Sequence, residues 1–579
     1  MRQGPMTSAR GNSKTIRFGT FELDLSAEEL RKHGVKVRLQ EQPLRVLQIL
    51  LESPGRLVSR EELRTAIWPS NSYVDFDQGL NRAINKLREA LGDSADNPRF
   101  IETLARRGYR FLSTVAADAT GIRSLLVLPL ENLPNEPEQE YFSEGLTEAL
   151  TTSLAKISAL QVISRTTATV YKRSLKPVPV IARELGIDAV VEGSVLRSEG
   201  QVRISVQLVR ASTDTHVWAE SYERDMRNIL ALQSEVANAI AKEIQVRLTP
   251  GEQAQLGHTP IVDPDAYDAY LRGRYYSDKR TPATIAQAID SFEEALGRDP
   301  GLAVARAGLA DAFGALGWWS YVPPANGLAK AKALALRTLE TAPNLAEAHS
   351  ALAWALKYYD YDFVAAEREF RRAIELDPNY SVPRYRLAMT LAHLGRFEEA
   401  IAEGARAVRL DPLAYTVHGA MCWVYMFARR HHEHLVHGKR AVELHPEAPH
   451  MRWALGAGYL EAGDFEAAIA QMRAGAQLAD APLFRALLAE TYAVTGRRDE
   501  AQTILQHLQA RSGEEYLTPY MFARIHTALG DRDEAFRWLN IAYQERAPWM
   551  VLLKRDPRMD SLRADSRYET LLRLMNFPS

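Results

Sequence analysis

The chain is 579 residues long, 46% hydrophobic and 25% charged, values that exclude a single domain, a disordered polymer and a collagen-like repeat. Its formal net charge of −2 is divided unevenly: residues 1–115 hold 19 Lys and Arg against 14 Asp and Glu, the remainder 52 against 59, so the sign that phosphate favours is confined to the N-terminal part. The single cysteine, Cys422, excludes an internal disulfide or a cysteine metal cluster, and a polar N-terminus with no apolar run of about 18 residues points to a cytoplasmic protein without membrane contact.

Short alternating segments open the chain at residues 16–19, 21–25, 29–32 and 35–39, the last two separated by His33-Gly34. Period-two patterning around a glycine turn predicts a small antiparallel sheet. An amphipathic helix is expected over residues 42–52, closed by Ser53-Pro54-Gly55, and a second over 60–68, stopped by Pro69. In a third, 77–91, Leu80, Ile84, Leu87 and Leu91 recur at intervals of four, three and four, which places them on one face. The opposite face carries Gln78, Arg82, Asn85, Lys86 and Glu89, flanked by Asn81 and Arg88. Amides and cations so placed suit base edges and phosphates, and a merely solvated face has the same composition.

Segments 99–104 and 108–112 flank the basic tip Ala105-Arg106-Arg107, a hairpin fit to lie against a DNA backbone or minor groove. Sheet, three helices and basic hairpin follow the order of a winged helix. Residues 15–113 resemble the winged helix-turn-helix effector domain of OmpR/PhoB-type regulators, and more closely the CadC/ToxR-like branch in which that domain stands first. The resemblance rests on Val74-Asp75, Asn81-Arg82-Ala83-Ile84-Asn85-Lys86-Leu87-Arg88, Leu91-Gly92-Asp93, Phe100-Ile101-Glu102-Thr103 and Arg107-Gly108-Tyr109-Arg110-Phe111. It implies a recognition helix over 77–91 that contacts DNA through Gln78, Asn81, Arg82, Asn85, Lys86 and Arg88. It also implies a wing that offers Arg106, Arg107 and Arg110 to phosphate, and dimerisation on repeated half-sites. CadC-like proteins usually carry a transmembrane helix after this domain and response regulators a receiver domain before it. This sequence shows neither pattern, so envelope sensing and direct phosphorelay control are not expected.

Residues 122–250 read as an α/β sandwich. An apolar strand at 124–130, a helix at 140–157, a strand at 160–164 and a short helix near 180–185 suggest a parallel crossover. Strands at 189–197, 202–209 and 216–222 follow as a meander, and a helix at 228–248 closes the unit. The strings Leu128-Pro129-Leu130-Glu131-Asn132, Tyr141-Phe142-Ser143-Glu144-Gly145-Leu146-Thr147, Val191-Glu192-Gly193-Ser194-Val195 and Trp218-Ala219-Glu220-Ser221-Tyr222 resemble the α/β domain related to the TolB N-terminal and FlgO folds. No phosphate loop, nucleophile elbow or metal carboxylate pair stands out, and Glu144, Glu148, Glu192 and Glu220 read as surface or strand-end charges.

From 265 to 548 the chain repeats with a period of 34. Asp377-Pro378, Asp411-Pro412 and His445-Pro446 are spaced by 34, and Gly395, Gly463, Gly496 and Gly530 are each followed five residues later by Ala400, Ala468, Ala501 and Ala535. A turn glycine, a small residue where paired helices meet and a proline ending each second helix form the tetratricopeptide pattern. About eight repeats are expected, the second lengthened by residues 318–324, winding into an all-α superhelix with residues 549–579 as a cap. Tyr385, Met389, Trp423 and Trp453 are candidates for lining a partner groove, with packing between repeats the plainer alternative. His431, His432, His434 and His437 cover a turn without supporting acidic or thiol ligands and do not read as a metal site.

The whole is a multidomain chain: a winged helix, an α/β sandwich, then a tetratricopeptide superhelix. The function expected is transcription regulation, with double-stranded DNA as one partner and a protein or peptide effector engaged by the repeats or the middle domain. RNA polymerase and a second copy on DNA stand as further partners; no cofactor and no metal are expected. The competing readings are a scaffold whose winged helix makes protein contacts and, ranked last, an enzyme.

Overall fold

In the computed structural model, the described residues are 15–577 apart from 19–20, 25–26, 33–34, 53–54, 69–75, 96–97, 105–106, 113–114, 118–121, 134–135, 137–138, 173, 175, 199, 245, 247, 258–261 and 513. They divide into two compact units, Met1–Gly121 and Ile122–Ser579.

A cluster of phenylalanines lies at the heart of the first unit. Strands β1 (Thr15–Phe18), β2 (Phe21–Asp24), β3 (Glu29–Lys32) and β4 (Val35–Val37) form an antiparallel meander, and β8 (Val115–Ala117) returns beside β1. Helices α1 (Glu41–Glu52), α2 (Arg60–Ile67) and α3 (Phe76–Leu91) follow, with β5 (Leu57–Ser59) pairing into a second sheet of order β5-β7-β6 with β6 (Ile101–Leu104) and β7 (Gly108–Phe111). Phe18, Phe21, Phe100 and Phe111 meet between the sheets with ring centroids 5.2 to 6.3 Å apart. Against them pack Leu80, Ile84, Leu87 and Leu91, all buried as the four-three-four spacing requires.

The second unit begins with β9 (Ser124–Val127) and β10 (Glu131–Leu133), then α4 (Glu140–Ala155), β11 (Gln161–Ile163), α5 (Arg165–Val170) and α6 (Val178–Leu185). Long antiparallel strands β12 (Ala189–Ser198), β13 (Gln201–Arg210) and β14 (Thr215–Asp225) complete a mixed sheet of order β11-β9-β12-β13-β14, with β10 beside β12. The parallel pairs β11·β9 and β9·β12 realise the crossover that the sequence suggests. Helix α5 went unforeseen. Helix α7 (Ile229–Glu243) covers the sheet, and the next described helix, α8 (Pro250–Gly257), leads toward the repeats.

Eight helix pairs run from Pro264–Ser277 and Pro282–Arg298 to Pro519–Ala528 and Arg532–Gln544 among the described residues. Ala400, Ala468, Ala501 and Ala535 are wholly buried where paired helices touch, and the turn glycines Gly395, Gly463, Gly496 and Gly530 have φ of +78° to +84°, the left-handed region that glycine enters without a Cβ penalty.

Sheet and repeats do not separate. One apolar core joins Leu125, Leu146 and Val191 to Tyr267, Phe292 and Leu309. A Cβ on Gly145 would strike Leu271, so helix α4 and the first repeat helix approach as closely as only glycine permits. Farther along, Asn379 donates to the carbonyls of Ala155 and Leu160, each at 2.8 Å, and accepts from the Val162 N–H at 3.2 Å. Thr167 donates to buried Asp411 at 2.7 Å, and the Ser164 N–H to the Leu410 carbonyl at 2.9 Å. The turns after two repeats thus clasp the edge strand β11. Glu144 and Glu148, expected at the surface, are mostly buried in this seam, paired with Arg165, Lys172 and Arg274.

Candidate nucleic-acid interface and helical-repeat cavity

Helix α2 starts at a capping box: Ser59 Oγ accepts from the Glu62 N–H at 3.1 Å, and the Glu62 carboxylate accepts from the Ser59 N–H at 2.7 Å. Those bonds, with Arg56 alongside, hold the Glu62 carboxyl down at about 2. Arg60 and Tyr109 both donate to Asn81 Oδ1 at 3.0 Å, tying α2, the hairpin and α3 together. Gly92, at φ +66°, ends α3 and turns Asp93 back to receive four backbone N–H groups, those of Ser94, Arg99, Phe100 and Ile101, at 2.7 to 3.2 Å. Helix and hairpin are therefore locked in one orientation. At Gly108 a side chain would collide with the Val58 carbonyl, where β7 crosses β5.

On the face of α3 away from the core, Gln78, Asn81, Arg82, Asn85, Lys86 and Glu89 are exposed. Lys86 donates to Gln40 at 2.6 Å, while Arg82 has no partner among the described residues. Arg88 corrects the expectation of a DNA contact. It is 7% exposed and donates to the Ile101 carbonyl and Thr103 Oγ1, each at 2.7 Å, so it joins α3 to the hairpin from inside. Arg107 is exposed, and Arg110 is half-buried, 3.3 Å from Glu102. Arg106, Val74 and Asp75 lie outside the described residues.

The candidate partner groove is covered from within the chain. The C-terminal segment enters the concave face of the repeats: Trp549 is fully buried, donates to the Trp318 carbonyl at 2.9 Å and stacks on Trp453 at 5.0 Å. The Tyr361 hydroxyl donates to the Ala547 carbonyl at 3.0 Å, and Arg429 pairs with Asp560 at 2.7 Å. Tyr385, Met389, Trp423 and Trp453 are all buried, with Trp423 and Trp453 4.4 Å apart. Trp453 is interior packing, whereas Tyr385, Met389 and Trp423 line a cavity of about 70 Å³ beside the segment. Sequence reading missed the cavity's other polar walls, Arg280, Arg386 and His450, since none belongs to a recognisable motif. Of the histidine run, His434 is buried with Nε2 3.0 Å from the Ala454 carbonyl, and His437 faces His418 at 2.9 Å.

A polar helix face held over a buried arginine, a capped helix before it and a locked hairpin after it make the first unit a winged helix-turn-helix. Comparisons with known proteins agree. Residues 34–111 match the family model "Transcriptional regulatory protein, C terminal", and residues 369–402 match "Tetratricopeptide repeat". The chain is 24% identical over 395 residues to the transcriptional regulator HilA of Salmonella typhi, covering 67% of this chain and 69% of that one. It is 35% identical over 237 residues to putative adenylate cyclase 3 of Rhizobium meliloti, covering 41% of this chain and only 40% of that one. A solved DNA-binding domain, RstA of Klebsiella pneumoniae in complex with the RstA box, is 29% identical and is covered over 97% of its length, 17% of this chain, with a TM-score of 0.16. The chain carries a transcriptional-regulator DNA-binding domain followed by tetratricopeptide repeats. No described helix is long and apolar enough to cross a membrane.

Proposed function

We propose that this protein is a cytoplasmic, non-enzymatic transcription regulator in which α3 reads double-stranded DNA and residues 122–579 form the part that receives an effector. The observation that carries it is the division of α3 into a buried leucine face and an exposed face of Gln78, Arg82, Asn85 and Lys86, fixed in place by Arg88 and Asp93. The similarity to HilA supports regulation over catalysis. Arg82, Asn85 and Lys86 contact base edges or phosphates, Arg106, Arg107 and Arg110 approach the backbone from the wing, and two copies on repeated half-sites raise the affinity of a small footprint, with RNA polymerase as a further partner.

Titration of the full chain against duplex DNA at several salt concentrations tests this reading. Log affinity should fall linearly with log salt, by about 0.9 per phosphate neutralised, and Arg107→Ala should shallow that slope by about one unit. A salt-independent affinity would favour the scaffold reading.

A further inference from the structure

Where the sheet meets the repeats, a cavity of about 550 Å³ opens between α4, α7 and the first repeat helix. Sites that hold small organic molecules measure roughly 300–1,000 Å³ and favour such seams. An apolar cavity of roughly 150 Å³ takes one benzene ring, so this one admits a ring with a polar end. Its walls are held in place from both sides. Gln233 of α7 donates to the Tyr267 hydroxyl at 2.7 Å, and Asn379, two residues after Asp377, donates to the Ala155 carbonyl beside Lys156 at 2.8 Å. Leu230, Leu271, Val304, Leu345 and Leu376 give the lining its apolar part.

The cavity is also lined by Glu148, Lys156, Arg274, Glu347 and Asp377. Glu148 and Arg274 pair with each other. Lys156 caps the end of α4, and Glu347 stands in the first turn of the helix Ala346–Ala355; their side chains form no ion pair or hydrogen bond among the described residues. Asp377 is 8% exposed and accepts from the backbone N–H groups of Asn379, at 3.0 Å, and of Tyr380. Burial and Glu347 nonetheless push its carboxyl up to about 7, against the pull of Lys156. Two carboxyl groups that feel each other and lack a cation thus stand on the repeat side, and one ammonium that lacks an anion stands on the α4 side.

We propose that this cavity binds a free α-amino acid with an apolar side chain, its ammonium between Glu347 and Asp377, its carboxylate on Lys156 and its side chain against Leu230, Val304 and Leu376. The proposal rests on the reading of residues 122–579 as the effector-receiving part and gives that effector a chemistry. An ammonium between the two carboxylates relieves their repulsion and displaces the proton that Asp377 holds, while charge-assisted hydrogen bonds form at both ends of the guest. An amine alone would be opposed by Lys156, and an acid alone by Glu347, so a molecule with both charges suits both walls.

Calorimetry on the full-length protein with L-phenylalanine, phenethylamine and 3-phenylpropionate tests it. L-Phenylalanine should bind with one site per chain, and the amine and the acid, which keep the ring and lose one charge each, at least tenfold more weakly. Glu347→Gln should weaken L-phenylalanine about tenfold or more without lowering the thermal midpoint, since Glu347 has no partner to lose. Lys156→Gln should weaken L-phenylalanine likewise and leave phenethylamine no weaker than in the parent, a split that a merely structural lysine would not produce. No heat with L-phenylalanine, equal binding of either analogue, or an unchanged affinity in a folded E347Q protein would each overturn the proposal. DNA titrations run in parallel keep the outcomes apart: absent DNA binding beside an intact amino-acid isotherm would sink the regulator reading alone.

Discussion

The two units use the same residue types in opposite ways. In the first, the cations Arg82, Lys86 and Arg107 stand outward from a small aromatic core, and one arginine, Arg88, is turned inward to brace α3. In the second, Lys357, Arg386 and Arg524 are buried, Arg524 in an ion pair with Glu490 inside the repeats. A surface cation costs little to expose and is available to a polyanion, whereas a buried cation must be paired or lose its charge. Lys357 does the second: burial and the nearby Arg386 push its ammonium far below the usual lysine range. Charge in the first unit is therefore left at the surface, open to an external polymer, and charge in the second is neutralised inside the repeats by pairing or by loss of a proton.

Cutting the chain breaks this comparison most severely. A fragment ending at residue 121 should fold and keep its DNA affinity, because its core draws on no residue beyond Phe111. A fragment ending near Pro250 should aggregate or melt without cooperativity, since it exposes the apolar core that Leu146 and Val191 share with Tyr267 and Phe292. A soluble, cooperatively unfolding 1–250 fragment, read by thermal circular dichroism, would show the sheet and the repeats to be separate domains after all.

Removing the plug comes next. Trp549→Ala deletes a fully buried indole that touches Trp318 and Trp453, and such a truncation costs about 3–5 kcal/mol. Denaturant unfolding should show the loss in the second unit only, with DNA affinity of the folded protein unchanged. Arg82→Ala with Lys86→Ala should do the converse, weakening DNA binding by about 1–3 kcal/mol for each base edge that is no longer read and leaving both unfolding transitions in place. Equal DNA affinity in that double variant would remove α3 as the reader.

What was legible in the sequence followed the reach of each signal. Leu80, Ile84, Leu87 and Leu91 announced their buried face because helical spacing is local, and the turn glycines announced theirs because one backbone conformation demands them. Arg88 was misread on its charge: it lies four residues after Ile84 and three before Leu91, so the same spacing already places it on the inner side. The closure of the repeats left no such trace. Trp318 and Trp549 meet across 231 residues, and no periodicity marks a tryptophan as the partner of another so distant. Arg280 was silent for a different reason, since an arginine at a turn usually signifies solvent, and only the tertiary structure places its side chain on the wall of the cavity.

The smallest effect expected concerns the clasp between sheet and repeats. Burial raises the Asp411 carboxyl from 3.8 to about 6, although the Ser164, Thr166 and Thr167 groups around it favour the ionised form. Between about pH 4 and 6 the folded protein therefore holds a proton there that the unfolded chain has released, so this residue's contribution to stability declines as pH rises through that window. Above it the cost of the buried charge is present in full. Asp411→Asn keeps the shape and an oxygen to accept from Thr167, and removes the titration. Each pK unit is worth about 1.4 kcal/mol, and the shift of about two units already includes the bond from Thr167, so D411N should gain about 2 to 3 kcal/mol over the parent at pH 8 and little at pH 4. A parallel pair of stability–pH curves, offset equally at both ends, would mean that Asp411 is already ionised and satisfied across the range, and that the clasp is held by hydrogen bonds whose strength does not depend on its proton.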